Sequence, residues 1–256
     1  MDFQIFMQQF VNALSLGSLY ALIAIGYTMV YGILRLINFA HGDVFMIGGY
    51  LAFYAVTAFM MPWWVAVIAA IGMTTLFGMG LERVAYRPLR DSPRISIMIS
   101  AIGASFLIEN LAIVLFDARP KAFPVPDFFA STFVLGDVHI SMVSIIIPVV
   151  TAIILAALLW VIYRTKTGMA MRAVATDIDA ARLMAIDVNR IISFTFAIGS
   201  ALAAVGGIMW ALKYPRLEPL MGIMPGLKCF IAAVIGGIGS IAGAVLGGLL
   251  LGLIEL

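Results

Sequence analysis

Three polar residues stand close together in the stretch RLINFAHGDVFMIGGY, residues 35–50: Asn38, His41 and Asp43. A histidine and an aspartate two residues apart could share a metal ion or a proton. The only other histidine is His139, and the sequence has no HExxH spacing. A metal or catalytic site is therefore the weakest interpretation, and the sequence predicts no metal, no cofactor and no catalytic residue.

Two other interpretations of this stretch remain open. In one, it is a short cytoplasmic turn in which Asn38 and Asp43 act as N-cap residues. In the other, a helix is interrupted within the membrane and Asn38, His41 and Asp43 line the translocation path or its gate. The apolar run after Asp43 favours the turn, with Asp43 capping a helix and Gly48 and Gly49 allowing a neighbouring helix to approach closely. A contribution to the path is retained as the second interpretation.

The composition indicates a protein that lies in a lipid bilayer. Of the 256 residues, 64% are hydrophobic and 11% are charged, with a mean hydropathy of +1.13. Soluble domains are typically about 45–50% apolar and about 25% charged, and this much apolar surface cannot be hidden in one soluble core. A net charge of +2 without a basic stripe excludes nucleic-acid binding. The single cysteine, Cys229, excludes an intramolecular disulfide framework.

About eight hydrophobic segments predict an all-α integral membrane protein, a bundle of helices with one or two segments broken or half-spanning. Membrane-spanning strands are not expected, because the segments lack the alternation of a membrane barrel. The last apolar run reaches the end of the sequence, so we expect the chain to end before a final helix. The segments cover residues 10–34, 44–60, 62–81, 95–116, 142–163, 191–212, 227–238 and 241–256.

The distribution of basic residues predicts the orientation. Four of the fifteen lie within residues 83–94 and five within residues 164–190. The positive-inside rule places both segments in the cytoplasm. The intervening residues 117–141 are then an exposed, extended extracytoplasmic loop, and counting crossings backwards places the N-terminus outside.

The second basic segment, residues 164–190, predicts a short amphipathic helix beneath the membrane. Thr176 and Asp179 match a capping box, and Asp177 is favourable beside the positive end of a helix. Asp179 and Arg182 are spaced to form an ion pair. The apolar face consists mostly of alanine, so docking to a soluble partner is favoured over an interfacial anchor.

Two further features lie within the apolar segments. Glu109 and Asn110 occupy one helix, where they serve either interhelical packing or a polar wall of the path. The glycine-rich residues 234–248 form either a broken helix, with halves that meet at residues 236–240, or a tight packing seam. The packing seam is the favoured interpretation.

Three motifs resemble the permeases of branched-chain amino acid ABC transporters, and most closely their shorter, LivH-type subunit. INFAHGDVFMIGGYLAFY resembles the signature after their first helix, GMAMRAVATDIDAARLMAIDVNR their cytoplasmic coupling segment, and FIAAVIGGIGSIAGAVLGGLLLGLIE their glycine-rich late segment. The motifs occur in the family's order, and the match runs from near residue 8 to residue 256. The chain departs from the family at Ala185, where glycine is usual.

The resemblance implies an ATP-driven importer of branched-chain amino acids in the bacterial inner membrane. Residues 1–256 would form one transmembrane permease domain, with residues 164–190 as its coupling loop. The implied partners are two cytoplasmic ATP-binding subunits, a second permease subunit that is a different, related chain, and a periplasmic or extracellular substrate-binding protein. The chain has no GxxxxGK[ST] phosphate loop, so ATP hydrolysis falls to the partners. The implied coupling residues are Arg172, Thr176, Asp177, Asp179, Ala181, Arg182 and Met184.

Two alternative functions stay open. A urea or short-amide permease of the same family would share this pattern. An ion-coupled secondary amino acid transporter would need a carboxylate near the membrane midplane and often has inverted repeats. The sequence does not identify the substrate.

Overall fold

The protein is built almost entirely of helices. The computed structural model describes residues 3–90, 92–135 and 138–255. Within these residues the long helices are α1 (Phe3–Leu34), α2 (His41–Thr57), α3 (Trp63–Leu81), α4 (Arg94–Phe116), α6 (Met142–Arg164) and α9 (Val188–Lys213). The shorter helices are α5 (Asp127–Ala130), α7 (Lys166–Thr176), α8 (Ile178–Leu183), α10 (Ile223–Ile235) and α11 (Ile241–Ile254). The strands are β1 (Lys121–Ala122), β2 (Thr132–Leu135), β3 (Val138–Ser141) and β4 (Arg216–Leu217).

The prediction of an all-α membrane protein is confirmed. Each predicted hydrophobic segment corresponds to one helix: α1, α2, α3, α4, α6, α9, α10 or α11. In the described part of the chain, five helices are long and apolar enough to cross a membrane, and α10 and α11 are shorter apolar helices. The five candidate spans are Gln4–Leu34, Trp63–Leu89, Arg94–Phe116, Met142–Arg164 and Val188–Lys213.

The helices divide into an inner and an outer set. In the most apolar window of each helix, 94% of the residues of α1 and 67% of those of α9 are buried, against 17–22% for α3, α4 and α6. The inner helix α1 packs mainly against α11, α9 and α10. The outer helices present large apolar side chains to their surroundings, such as Val114 and Ile153. This arrangement suits a bundle whose exterior meets lipid.

Glycines let the inner helices pack with their backbones close together. A Cβ added at Gly48 of α2 would lie 2.6 Å from the Cα of Ala204 on α9. A Cβ added at Gly207 would lie 2.1 Å from the carbonyl oxygen of Phe45. The predicted role of Gly48 in close helix approach is therefore confirmed.

The glycine-rich late segment forms a helical hairpin. The helices α10 and α11 are separated by residues 236–240, where Gly237 and Gly239 have φ angles of +91° and +98°. The two helices pack against each other so closely that a Cβ at Gly243 would lie 1.8 Å from the carbonyl oxygen of Gly236. Both predicted features are thus present: the helix is broken at residues 236–240, and its halves form a packing seam.

The predicted extracytoplasmic loop, residues 117–141, has more structure than expected. Strand β1 pairs antiparallel with β4, and β2 pairs antiparallel with β3. Phe123 is buried and packs edge-on against Trp63, with ring centroids 5.8 Å apart. Most of the described residues of this segment are exposed and much of it is extended, as predicted, but aromatic side chains attach part of it to the bundle. Gly136 and Asp137 of the loop lie outside the described residues.

The two segments predicted to be cytoplasmic lie at the same end of the bundle. Arg90 from the first segment donates a hydrogen bond to Oδ1 of Asn189, in the first turn of α9, at 2.6 Å. Helix α7 of the second segment packs against α6, α1 and α9. The predicted topology requires both basic segments to lie on one side of the membrane, and their position at one end of the bundle agrees with this. The side of the membrane on which they lie stays a prediction.

Candidate functional site

The segment between α1 and α2 enters the bundle. Residues 35–40 are not helical, and the ring of His41 lies against Tyr27 of α1, with centroids 4.5 Å apart. Tyr27 precedes the last residue of α1 by seven positions, so α2 begins about 10 Å inside the end of α1. Asn38, His41 and Asp43 are 4%, 1% and 3% exposed. The segment contains a short turn, as the favoured interpretation has it, but this turn lies buried inside the bundle, which agrees with the interrupted helix.

The predicted capping roles of Asn38 and Asp43 are wrong. Ala40 occupies the N-cap position of α2 without a side-chain hydrogen bond. The Asp43 carboxylate accepts a hydrogen bond from the Ser105 hydroxyl of α4, and the Asn38 side-chain oxygen accepts one from the Tyr86 hydroxyl, at 2.5 and 2.6 Å. The side-chain partners of both residues lie on other elements.

A second helix begins at the same place in the bundle. A Cβ added at Gly222, the N-cap of α10, would lie 2.1 Å from the carbonyl oxygen of Gly42 in α2. A Cβ added at Gly226 would lie 3.1 Å from the Cα of Gly42. The starts of α2 and α10 are therefore in backbone contact inside the bundle. Discontinuous helices that meet inside the membrane are typical of substrate sites in transporters.

A cavity of about 280 Å³ lies at this junction. Its polar lining includes Asp43 from α2 and Ser105 and Glu109 from α4. Ser105 and Glu109 are four residues apart and share one face of α4. The remaining lining residues are Tyr27, Ile37, Phe39, Gly42, Ile102, Phe106, Gly222, Ile223, Gly226, Leu227 and Phe230.

The structure brings together only some of the predicted path residues. Asp43 and Glu109 line the cavity. Asn38 and His41 are buried beside it, and the described residues offer Nε2 of His41 no hydrogen-bond partner. Asn110 is exposed and donates to the carbonyl oxygen of Phe106 on its own helix at 2.7 Å. The functional roles of all five residues stay predictions.

A buried polar network next to the cavity was not predicted. Glu82 and Tyr86 lie in a π-helical turn, Glu82–Tyr86, that follows α3, and such turns often occur at functional sites. Glu82 forms an ion pair with Arg90 and accepts a hydrogen bond from Ser193 of α9 at 2.7 Å. Only the positive charge of Arg90 was singled out in the sequence. The one sequence signal for this network was Glu82, an acidic residue at the end of an apolar run.

The coupling segment consists of two helices, α7 and α8, where one was predicted. Thr176 ends α7, and its hydroxyl donates to the carbonyl oxygen of Arg172 at 3.0 Å, so it is not the cap. Asp177 is the N-cap of α8 and accepts from the backbone N–H groups of Asp179 and Ala180, at 2.9 and 3.0 Å. The N-cap of α8 is therefore Asp177 and not Thr176, one residue later than predicted, because the Asp177 carboxylate accepts hydrogen bonds from two backbone N–H groups.

The predicted Asp179–Arg182 ion pair is confirmed, with an N–O distance of 3.4 Å. Ala181 is buried against the bundle, whereas Leu183 and Met184 are 88% and 77% exposed. We call the outward-facing residues of this helix and its end, namely Asp179, Arg182, Leu183 and Met184, the α8 surface.

Arg172 does not belong to the α8 surface. Its guanidinium donates to the carbonyl oxygen of Ile162 near the end of α6 and lies over the ring of Tyr163, 5.4 Å from the centroid. Cations near a helix C-terminus are stabilised there. Arg172 therefore attaches α7 to α6.

A groove of about 250 Å³ separates α8 from the end of the bundle. Asp179 and Arg182 line it from one side, and Tyr86 and Arg90 from the other. The groove therefore connects the α8 surface with the buried polar network.

Comparison with known proteins places the chain in a family. Residues 9–256 match the model of the family described as the branched-chain amino acid transport system permease component. The chain belongs to this family. It is 47% identical over 263 residues to the high-affinity branched-chain amino acid transport system permease protein BraD of Pseudomonas aeruginosa, a match that covers 98% of this chain and 85% of BraD.

Two other relatives differ in how close they are. The permease protein LivH of Escherichia coli K12 is 44% identical over 267 residues, covering 99% of this chain and 86% of LivH. The ribose import permease protein RbsC of Haemophilus influenzae is 26% identical over 258 residues, covering 96% of this chain and 75% of RbsC. The predicted family is therefore confirmed, and the chain is a transport subunit with the helices of a multi-pass membrane protein.

Proposed function

We propose that the chain is the permease subunit of an ATP-driven importer of branched-chain amino acids in the bacterial inner membrane. It would act with two cytoplasmic ATP-binding subunits, a second, related permease chain and a substrate-binding protein. Its residues 1–256 form one permease domain, residues 164–190 face the cytoplasm, and residues 117–141 and the N-terminus lie outside. The family and the names of the close relatives support this proposal.

The α8 surface is the observation that carries the coupling role. Leu183 and Met184 extend outward beside the Asp179–Arg182 pair. A small apolar protrusion flanked by both charges suits a groove on a soluble protein. Ala181 anchors the helix to the bundle. A rigid anchor would let a movement of the partner be transmitted to the permease.

The other predicted coupling residues would position the α8 surface. Asp177 fixes the first turn of α8, Thr176 bonds within the last turn of α7, and Arg172 attaches α7 to α6. In this proposal the contact with the ATPase is made by Asp179, Arg182 and Met184.

A path of neighbouring residues leads from α8 across the groove to the cavity. Arg182 lines the groove together with Tyr86. Tyr86 binds Asn38, which lies in the interrupted segment five residues before Asp43. A displacement of α8 that closes the groove would therefore reach the start of α2 through Tyr86 and Asn38. In this proposal Asn38 and His41 position the gate, and Asp43 and Glu109 line the path.

One observation favours a second candidate function. A buried Asp43 beside interrupted helices is also what an ion-coupled secondary transporter would use. The two candidates differ in energy source. ATP-dependent uptake by the assembled complex would support the importer, and uptake that follows an ion gradient without ATP would support the alternative.

The coupling proposal is tested by co-purification. The chain would be co-expressed with candidate ATPase subunits, as the intact chain and as an Asp179→Ala/Arg182→Ala double variant. We expect the intact chain to capture an ATPase and the variant to capture at least tenfold less. The matched control is Arg216→Ala/Glu218→Gln, which removes another exposed ion pair at a distance from α8.

Three results would be informative. Reduced capture by the α8 variant alone supports the coupling role. Equal capture by all three proteins moves the ATPase contact away from Asp179 and Arg182. Failure of the intact chain to capture any ATPase contradicts the importer.

A further inference from the structure

We propose that the cavity at the start of α2 binds the primary ammonium group of the transported amino acid, with the Asp43 carboxylate as its main partner. This inference rests on the proposed function, because it names the chemical group that the path recognises. The carboxylate of Glu109, which lines the same cavity, would be a second and weaker partner of the ammonium group.

The electrostatics of Asp43 are the first argument. Asp43 is 3% exposed, and in the described part of the chain neither Asp43 nor Glu109 forms a salt bridge with a lysine, arginine or histidine. The Ser105 hydroxyl supplies a neutral hydrogen bond to Oδ2. A carboxylate within a membrane bundle is costly unless a cation or water compensates it. A ligand ammonium in the cavity would provide that cation.

The aromatic lining is the second argument. The ring of Phe230 lies 6.1 Å from that of Tyr27 and 6.5 Å from that of Phe39, and Phe106 lines the cavity as well. These rings line the same cavity as the two acidic side chains. Aromatic faces attract ammonium groups, and the attraction grows when the cation is desolvated. The aromatic lining therefore favours a cation over a neutral polar solute.

The volume of the cavity and its apolar lining residues indicate what the ligand carries besides the ammonium group. A volume of about 280 Å³ lies at the lower end of small-molecule pockets, at about 300 Å³ and above. Ile102, Ile223 and Leu227 offer apolar surface to an aliphatic group. The chemical class is thus a small alkylammonium with a branched aliphatic chain, and a neutral urea or amide would lack the group that Asp43 recognises.

The test uses the assembled transporter in lipid nanodiscs, without the substrate-binding protein. Binding of radiolabelled L-leucine would be displaced by 3-methylbutylamine, which lacks the carboxylate, or by 4-methylpentanoate, which lacks the amine. We expect the amine to compete at least tenfold better than the acid. Better or equal competition by the acid, or no saturable binding of leucine, would overturn the proposal.

Variants locate the site. Asp43→Asn should weaken binding of leucine and of the amine at least tenfold, and Glu109→Gln should weaken both about threefold. Asp117→Asn is the matched control, because Asp117 is exposed at the end of α4, away from the cavity. Unchanged affinity in Asp43→Asn contradicts the proposal. If that variant does not assemble, the competition between amine and acid decides.

The two proposals fail in different ways. Absence of ATP-dependent leucine uptake and of ATPase capture would contradict the proposed function. Normal uptake and capture, combined with indifference to the amine, would contradict the ammonium site alone.

Discussion

Polar side chains serve two different purposes at opposite sides of the groove beneath α8. In the interior, Glu82, Tyr86 and Asn38 are buried; Glu82 pairs with Arg90, eight positions away, and the other hydrogen bonds join residues 48 and 111 positions apart in the chain. In α8, the bonds of Asp177 and the Asp179–Arg182 pair join residues two or three positions apart. Interior polar groups hold elements of the bundle together, whereas those of α8 shape one turn and stay available to a partner.

The difference predicts unequal energetic consequences. Removing one partner of a buried ion pair typically costs about 3–5 kcal/mol, whereas exposed pairs contribute about 0–1 kcal/mol. Substitutions in the interior network should therefore lower the stability of the bundle. Substitutions on the α8 surface should affect partner binding with little change in stability.

The largest effect is expected for Glu82→Gln. The substitution removes the negative charge from a side chain that is 1% exposed and that pairs with Arg90. We expect a loss of about 3 kcal/mol, or roughly 6–12 °C in the melting temperature at about 2–4 °C per kcal/mol. Thermal unfolding of the purified chain in detergent measures it.

Glu218→Gln is the control for this prediction. It removes the same charge from an ion pair in which both side chains are at least 42% exposed, and its melting temperature should fall by no more than about 4 °C. Equal shifts in the two variants would contradict the distinction between the interior network and exposed ion pairs.

The next effect is expected for Tyr86→Phe. The substitution removes the hydroxyl that donates to Asn38 and leaves the buried oxygen of Asn38 without this donor. An unsatisfied buried polar group costs about 1–3 kcal/mol, so we expect a smaller decrease in melting temperature than for Glu82→Gln. Tyr163→Phe, at a tyrosine that is 63% exposed, should unfold within about 1 °C of the unmodified chain. A decrease no larger than that of Tyr163→Phe would show that the Asn38 bond does not stabilise the interrupted segment.

Sequence reasoning succeeded where the deciding interaction is local. The helical segments follow from long apolar runs, and the Asp179–Arg182 pair follows from its spacing on a helix. The family was also identified from short motifs. Each of these signals is contained within a few consecutive turns of the chain.

It failed where the deciding partner is distant. Asp43 was expected to cap α2, but its carboxylate binds Ser105, 62 residues away. Asn38 was also expected to be an N-cap residue, but its side chain binds Tyr86, 48 residues away, inside the bundle. Local capping preferences cannot report such contacts, because they depend on which helices pack together. The meeting of Gly42 and Gly222, which positions the cavity, has the same cause.

The smallest expected effect concerns the end of α8, where the chain departs from its family. Ala185 has a φ of +59°, in the left-handed region that favours glycine. This conformation costs an L-residue about 1–2 kcal/mol, and the added flexibility of glycine offsets about 0.5–1 kcal/mol of the gain. We expect Ala185→Gly to stabilise α8 by about 0.5–1 kcal/mol. Slower amide hydrogen exchange over residues 178–186 would measure this.

Ala180→Gly provides the contrast within the same helix. Ala180 lies inside α8 and is exposed, so glycine there should destabilise the turn by about 0.5–1 kcal/mol and speed exchange. Because the bonds of α8 are local, neither substitution should move the melting temperature of the bundle by more than about 1–2 °C. If both variants exchange faster than the unmodified chain, the left-handed residue does not strain α8. If either one unfolds the bundle early, α8 is part of the core network, and the division between the two regions fails.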